Sequence, residues 1–269
     1  MSMMQIHLFS QTLQMQMEVW AVMPHARAFD VPDKKFKVLW QVPSGSANYS
    51  DWIRHSDIEA MAQQRDLVVI MPGAHRSCCT NMFMGPKYGD WIALELPAVL
   101  RRMFPFLSDR REDQFVSGFS NGGYGCLYLA MNYPQVYSAV AGLAAGDKAD
   151  VDWTGRDWAS KVPVYGEGDM HQTNYSYKFA AKKLVESGAA VPRVFHACGS
   201  EDPWVDMNRL ARDFFQSYKD KGDPFQYEYF EIEGHGHTFR MCEIGLARFF
   251  DYLKLPEIDP RSRKILRQP

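Results

Sequence analysis

The residues best suited to chemistry in this sequence occupy positions 118–122, where a serine stands between two glycines in the order Gly-Phe-Ser-Asn-Gly. A run of apolar residues ends at Phe119 and a helix is predicted from Gly122 onward, so Ser120 lies where a strand turns into a helix. Such a tight turn holds the serine backbone in a strained conformation, and side chains at the two glycine positions would collide across it. The pattern therefore predicts that Ser120 is a nucleophile.

A glycine-rich turn between a strand and a helix also occurs in dinucleotide-binding folds, which need a further glycine at a fixed spacing. Here Gly123 and Gly125 are followed by Tyr128, where that glycine would stand. The spacing excludes the dinucleotide fingerprint. A glycine-rich turn with a purely structural role is the remaining alternative to the nucleophile.

Serine is a weak nucleophile until a base takes its proton, and an acidic side chain is needed to orient that base. In folds with this turn, the acid and then the histidine follow the serine along the chain. Asp202 lies in the loop after a late strand predicted at 191–198, where the acid is expected, and it is the preferred candidate. Its neighbour Glu201 is a rival, and weaker candidates follow an earlier strand, namely Asp147, Asp150 and Asp152.

The base must come from one of two histidines that lie beyond Asp202, namely His235 and His237, which stand on either side of Gly236. A His-x-His pair is also a metal-binding pattern, but no nearby set of Asp, Glu or Cys residues completes a site with ligand spacing. The sequence therefore predicts a triad of serine, aspartate and histidine that works without a metal or a cofactor.

The elements that must position these residues can be predicted from the spacing of apolar side chains. Residues 13–23 alternate between apolar and polar, as a strand with one polar side does, and residues 4–9 form the predicted hairpin partner. Apolar runs then alternate with helical segments, which predicts a mainly parallel sheet covered by helices on both faces. The predicted strands are 36–42, 67–71, 115–119, 137–144, 191–198 and 225–232. The predicted helices are 52–64, 90–104 (kinked or split at Pro97), 122–132, 173–187, 206–219 and 239–253.

The length and composition indicate one ordinary domain over residues 1–269, because no linker or internal repeat interrupts the chain. Residues 147–171 are rich in Trp, Gly and Asp without a clear period and form a predicted irregular insertion, and residues 256–269 form a predicted solvated tail. The formal net charge of -2 gives no reason to expect nucleic acid or an anionic membrane as a partner. No apolar run approaches the length of a membrane span.

The number and spacing of the cysteines predict the cellular compartment in which the protein works. The sequence has 5 of them, an odd number, and Cys78 and Cys79 are adjacent, which makes a poor disulfide framework. The first ten residues also lack the features of a secretory signal peptide. Reduced thiols and a cytoplasmic location are therefore expected. The sequence does not set the oligomeric state, and a homo-oligomer stays open.

The sequence resembles the esterase D group of α/β-hydrolases, most closely its short tributyrin-esterase-like members, over nearly its whole length. The resemblance is carried by Arg76-Ser77, Thr80-Asn81-Met82, Glu95-Leu96-Pro97, Arg111-Glu112-Asp113, Gly122-Gly123-Tyr124-Gly125 and Cys198-Gly199-Ser200-Glu201-Asp202. It implies an α/β-hydrolase fold with a mostly parallel central sheet, helices on both faces and an antiparallel N-terminal hairpin. It also implies a serine carboxylesterase for short-chain or small acyl esters; relatives cleave S-formylglutathione or acyl groups on plant cell-wall sugars.

The resemblance also bears on the triad. It implies Ser120 as the nucleophile and Asp202 as the acid, and it selects one histidine as the base. The family's histidine is followed by an aromatic residue two positions on and by a leucine sixteen positions on, as Phe239 and Leu253 follow His237. The other histidine does not fit this spacing.

The oxyanion hole departs from the family pattern. The family has His-Gly after its third strand, and this chain has Pro43-Ser44 followed by Gly45. Proline has no N–H, but the family uses the residue after its glycine, which maps to Gly45. The second donor is expected to be the backbone N–H of Asn121, where the family has methionine, and the asparagine side chain could hydrogen-bond near the reacting carbonyl.

The pocket departs from the family pattern as well. Cys78 and Cys79 replace an aromatic pair, and their smaller side chains are expected to widen the acyl or alcohol pocket. Met82, Phe83 and Met84 could form an adaptable apolar wall nearby, with ordinary core packing as the alternative.

Two alternatives to an esterase remain. An acyltransferase of the same fold would use the same triad with an alcohol in place of water. A catalytically weak homologue that acts as a binding protein is favoured only by the Pro43-Ser44 replacement, and the intact triad argues against it.

Overall fold

The computed structural model describes residues 2–24, 31–45, 47–154 and 158–257. In chain order, the strands of this part of the chain are β1 (Ser2–Ser10), β2 (Met15–Met23), β3 (Val38–Val42), β4 (Val68–Pro72), β5 (Gln114–Phe119), β6 (Ala139–Leu143), β7 (Arg193–Gly199) and β8 (Glu228–Ile232). The helices are α1 (Asp51–His55), α2 (Ile58–Gln64), α3 (Tyr88–Asp90), α4 (Leu96–Met103), α5 (Asn121–Asn132), α6 (Trp158–Tyr165), α7 (Tyr177–Glu186), α8 (Val205–Gln216) and α9 (Phe239–Tyr252).

The strands form a single sheet in the order β1-β2-β4-β3-β5-β6-β7-β8. The predicted N-terminal hairpin is confirmed, because β1 and β2 pair antiparallel along their whole length, and β2 pairs antiparallel with β4. All the remaining pairs are parallel. The mostly parallel sheet with an antiparallel hairpin at its edge is therefore as predicted.

Helices cover both faces of the sheet. Every residue of β3, β4, β5 and β6 is buried, as continuous apolar strands with two covered faces should be. Within β3, Val38, Trp40 and Val42 pack in the core with α4, α5, α7 and α8, whereas Leu39 packs with α1, α2 and α9. This alternation is the period of two that a strand imposes. The predicted layering is confirmed.

The prediction of a single helix at 52–64 is wrong, because the structure has two separate helices there, α1 and α2. Ser56 leaves the helix with extended backbone angles, φ -145° and ψ 165°. The backbone N–H of Asp57 then donates to the Glu243 carboxylate of α9 at 2.8 Å instead of to a helical carbonyl. A tertiary contact 186 residues away in sequence thus replaces the local hydrogen bond, which local periodicity cannot anticipate.

The helix predicted at 90–104 runs continuously from α3 to α4 through a wider π-helical segment, Trp91–Glu95. Pro97 lies in the first turn of α4. Proline offers no N–H and its ring crowds the carbonyl four residues earlier, and a π-helical turn relieves that crowding. The chain therefore accommodates Pro97 without the split that the sequence allowed.

The segment 147–171 contains more regular structure than its composition suggests. It holds α6 and the single helical turns Lys148–Asp150 and Met170–Gln172, and its residues 155–157 lie outside the described chain. Proline disfavours the interior of a helix, so Pro163 within α6 argues against a helix at the level of the sequence. Of the predicted tail at 256–269, the structure describes only residues 256–257. No helix in the described part of the chain combines the length and apolarity needed to cross a bilayer.

One buried core residue, His196, is expected to make the stability of the fold depend on pH. His196 in β7 is fully buried, with Nε2 at 2.9 Å from Asn208 Oδ1 and Nδ1 at 3.4 Å from Tyr227 Oη. Burial lowers the pKa of His196 from 6.5 to about 4. In the unfolded chain His196 is protonated below about pH 6.5, whereas in the folded chain it stays neutral down to about pH 4. The free energy of unfolding should therefore fall as the pH drops from 6.5 to 4.

We expect His196 to remove up to about 3 kcal/mol from the free energy of unfolding between pH 7 and pH 4. Urea unfolding at intervals of half a pH unit would measure it. The His196→Gln variant should lose stability less steeply over this interval than the parent protein. Parallel curves for the two proteins would contradict the assignment.

Candidate active site

The predicted turn between β5 and α5 is present, with Ser120 at its apex. The backbone of Ser120 has φ 59° and ψ -120°, a conformation that non-glycine residues rarely adopt. Its N–H donates to the carbonyl of Leu143 in β6 at 2.9 Å, which fixes the turn against the neighbouring strand. Strain of this kind persists where the surrounding structure enforces it, and it often marks a functional residue.

The two flanking glycines are required by close backbone approaches. A Cβ atom at Gly118 would lie 2.3 Å from the carbonyl oxygen of Gly122, and a Cβ atom at Gly122 would lie 2.2 Å from the carbonyl oxygen of Pro43. Both distances are far below van der Waals contact. The collision across the turn that the sequence pattern predicts is therefore found at Gly118, whereas Gly122 is required by the approach of the loop after β3.

Asp202 and His237 form a hydrogen-bonded pair beside this turn. Nδ1 of His237 lies 2.6 Å from Oδ2 of Asp202, whose side chain is completely buried. The other carboxylate oxygen accepts the backbone N–H of Trp204 at 2.8 Å, so both oxygens have partners. Because an ionised carboxylate can only accept, Nδ1 carries the proton, and the neutral ring keeps Nε2 as an acceptor.

Aromatic side chains hold the imidazole ring at the turn. The ring of Phe119, the residue before Ser120, lies 4.4 Å from the His237 ring between centroids, and the ring of Trp204 lies 4.7 Å away. Phe239 packs in turn on Phe119 at 5.4 Å. Among the described residues, Ser120 Oγ makes no hydrogen bond to His237; such bonds are often long before substrate binds.

The other histidine of the His-x-His pair is placed differently. Nδ1 of His235 lies 2.9 Å from the carbonyl oxygen of Glu233, and the backbone carbonyl of His235 accepts the N–H of Glu201 at 3.0 Å. A Cβ atom at Gly199 would lie 1.9 Å from that carbonyl oxygen, so the two loops touch through their backbones. His235 thus supports the loop that carries Asp202, and its ring does not bond the carboxylate.

The other acidic residues considered for the triad do not lie in a comparable position. Glu201 is exposed, whereas Asp147 is buried and accepts hydrogen bonds from the Ser176 hydroxyl and the Lys178 backbone. Burial raises the pKa of the Asp147 carboxyl. Asp150 forms an ion pair with the Lys178 ammonium at 2.6 Å. Asp152 accepts the backbone N–H of Thr154 at 2.9 Å.

The structure places Gly45 against the side chain of Asn121, the residue whose backbone N–H is the other expected oxyanion donor. A Cβ atom at Gly45 would lie 2.4 Å from Nδ2 of Asn121, so the asparagine amide packs directly on the glycine backbone. Asn121 is the first residue of α5, where a backbone N–H has no helical acceptor and can bind a ligand. Its Oδ1 accepts a hydrogen bond from Lys148 Nζ at 2.6 Å. The sequence pattern gives no signal for this lysine, which lies 27 residues away in the segment predicted to be irregular.

A cavity of about 430 Å³ lies next to these donors. The residues predicted for the pocket, Cys78, Cys79 and Met82, all line it. Of the other two residues expected in an apolar wall, Phe83 and Met84 are exposed and are not among the lining residues. The remaining lining residues, most of them unforeseen, are Pro43, Ser44, Gly45, Ala74, His75, Arg76, Asn121, Lys148, Trp153, Pro163, Val164 and Tyr165.

The Cys79 thiol in the cavity wall is a poor nucleophile. Cys79 is buried, and burial raises the pKa of its thiol well above the ordinary value, which keeps it protonated. No cluster of three or more potential metal ligands occurs among the described residues. Ser120 is therefore the nucleophile candidate that the local geometry favours.

Known proteins resemble this chain over most of its length. The profile of a family named Esterase, described as "putative esterase", matches residues 10–246. An acetyl esterase of Caldicellulosiruptor saccharolyticus is 26% identical over 272 residues, which cover 94% of this chain and 98% of that protein.

Solved structures share the fold. The substrate-bound structure of FphF, a fluorophosphonate-binding serine hydrolase of Staphylococcus aureus, has a TM-score of 0.82 at 23% identity and covers 94% of this chain and 98% of its own. An S-formylglutathione hydrolase (FrmB) from Staphylococcus aureus has a TM-score of 0.78 at 24% identity and covers 94% and 99%. The predicted α/β-hydrolase fold is confirmed.

Proposed function

The chain belongs to the Esterase family, and from this premise we propose that it is a serine carboxylesterase that hydrolyses short-chain or small acyl esters through an acyl-enzyme. The observation that carries the proposal is the hydrogen-bonded pair of Asp202 and His237 beside the strained Ser120. The acetyl esterase among its relatives supports a small acyl group.

In the first step, Ser120 Oγ attacks the ester carbonyl and Nε2 of His237 takes the hydroxyl proton. Asp202 holds the ring in the required tautomer and stabilises the imidazolium that forms. The backbone N–H groups of Gly45 and Asn121 bind the oxyanion of the tetrahedral intermediate. Donors of this kind contribute about 100-fold to 1,000-fold each to the rate.

The intermediate then collapses. The C–O bond to the alcohol breaks, the imidazolium of His237 protonates the departing oxygen, and the acyl group stays on Ser120. In the second step a water molecule attacks the acyl carbonyl on Ser120 while His237 again takes the proton. The bond to Ser120 Oγ then breaks, His237 returns the proton to that oxygen, and the carboxylic acid is released. Neither step requires a metal or a cofactor.

Acyl transfer to an alcohol would use the same residues, and no feature of the cavity favours it over hydrolysis. Product analysis distinguishes the two reactions. With p-nitrophenyl acetate and increasing methanol, a hydrolase should yield mainly acetate, and an acyltransferase should yield mainly methyl acetate. Failure to turn over any short acyl ester would contradict the proposed function.

We propose a cytoplasmic enzyme whose partner is a small-molecule ester and that uses neither nucleic acid nor a membrane. The five cysteines are free thiols, four of them buried, as a reducing compartment maintains them. The small-molecule partner agrees with the size of the cavity.

The width of the pocket gives a further prediction. If Cys78 leaves room for a larger acyl group, Cys78→Phe should lower kcat/KM for hexanoyl esters by about tenfold and change acetyl esters much less. A series of p-nitrophenyl esters measures this, with Cys78→Ser as the control of similar size. Wild-type activity that falls steeply beyond acetyl, together with no effect of Cys78→Phe, would show that the cysteine does not set the width.

A further inference from the structure

The charged side chains that line the cavity beside the oxyanion donors are all basic. Arg76 and Lys148 line it together with His75, and no Asp or Glu occurs among its lining residues in the described chain. The whole protein, in contrast, has a formal net charge of -2. A concave site lined by one sign of charge raises the local concentration of ligands of the opposite sign.

Lys148 is held beside Asn121 in the wall of the cavity. Its Nζ donates to Oδ1 of Asn121 at 2.6 Å, and Nδ2 of the same amide lies against Gly45. The backbone around the lysine is fixed too, because the buried Asp147 carboxylate accepts the N–H of Ala149 at 3.0 Å. The ammonium therefore stands one side chain away from the N–H groups proposed to bind the oxyanion.

Arg76 lies on a loop with a strained but well-connected backbone. Its neighbours His75 and Cys78 have positive φ angles of 45° and 51°. The Ser77 side chain ties the loop together, and Nδ1 of His75 lies 2.6 Å from Tyr88 Oη. The Arg76 side chain is exposed and forms no ion pair with any residue that the structure describes. The loop thus presents a guanidinium to ligands that enter the cavity.

We propose that the preferred substrate is an ester that carries a carboxylate on the part of the molecule that occupies this cavity. Arg76 and Lys148 bind the carboxylate, and the ester carbonyl reaches Ser120. A guanidinium suits this task because its parallel N–H groups match the two carboxylate oxygens. The inference rests on the esterase function proposed above and adds the chemical class of the substrate.

Two matched pairs of esters test the proposal and show which side of the scissile bond carries the charge. On the acyl side, p-nitrophenyl hemisuccinate is compared with p-nitrophenyl butyrate. On the alcohol side, 4-acetoxybenzoate is compared with 4-acetoxybenzamide. In the pair whose charge lies on the side that occupies the cavity, kcat/KM for the anionic ester should exceed kcat/KM for the neutral ester by about tenfold at low salt. Addition of 0.5 M NaCl should reduce this ratio.

Variants assign the preference to the two cations. Arg76→Gln and Lys148→Gln should each lower the ratio of anionic to neutral kcat/KM by about threefold to tenfold, and Arg76→Glu should lower it further. The ratio is the readout because Lys148 also touches Asn121, and loss of that contact affects both esters alike. Arg102→Gln, an exposed arginine of α4 away from the cavity, should leave the ratio unchanged.

The outcomes separate this inference from the proposed function. If wild type hydrolyses the neutral esters as well as the anionic ones, or if the variants leave the ratios unchanged, the substrate class is wrong and the esterase function stands. If wild type hydrolyses none of the four esters, both are overturned.

Discussion

Replacing His237 with alanine is expected to lower kcat for p-nitrophenyl acetate by about four orders of magnitude. The variant loses the ring that the Asp202 carboxylate orients at 2.6 Å, and with it the base for both steps. The proposed oxyanion donors remain, so some rate above that of water should persist. The side chain is only partly buried, and the variant should fold, which circular dichroism would check.

His235→Ala is the matched control, two residues away in the same loop. The contacts of His235 with Glu201 and Gly199 run through its backbone carbonyl, which alanine retains. We expect this variant to keep at least about a tenth of wild-type kcat. The reverse ranking of the two variants, with both folded, would show that His235 is the base.

Asp202→Asn is expected to cost about a thousandfold to ten-thousandfold in kcat with little change in the shape of the site. The amide can still accept the Trp204 N–H, but it no longer stabilises a charged imidazolium. An amide nitrogen facing Nδ1 of His237 would also favour the tautomer with its proton on the wrong side of the ring.

The control for Asp202→Asn is the adjacent substitution Glu201→Gln. It removes the same charge from the next residue, but the Glu201 side chain is exposed. We expect less than about a threefold change in kcat, the size of a screened surface effect. Steady-state kinetics of both variants at several salt concentrations would measure the difference. Equal losses in the two variants would remove Asp202 from its proposed role.

Local sequence pattern predicts the features of the candidate site that depend on neighbouring residues. The glycine that begins the turn around Ser120 is required within the turn itself, because a Cβ atom at Gly118 would collide with the carbonyl of Gly122, whereas Gly122 is required by the approach of Pro43 from the loop after β3. Asp202 and His237 could be proposed as the partners of Ser120 because folds with this turn carry the acid and then the histidine after the serine, and parallel strands bring the loops that follow them to one edge of the sheet.

Features that depend on contacts between distant segments were missed. Lys148 reaches Asn121 across 27 residues, and Arg76 shares its cavity through a separate loop. The break between α1 and α2 depends on Glu243 in α9. Periodicity contains no information about such partners, since they exist only after the sheet has assembled.

Covalent labelling identifies the nucleophile independently of any substrate. A fluorophosphonate probe should add once to the intact protein, with loss of fluoride, and peptide mapping should place the adduct on Ser120. The folded Ser120→Ala variant should show no adduct, and the His237→Ala variant should react much more slowly, because the serine has lost its base. An adduct on another residue, or undiminished labelling of Ser120→Ala, would contradict the assignment of Ser120 as the nucleophile.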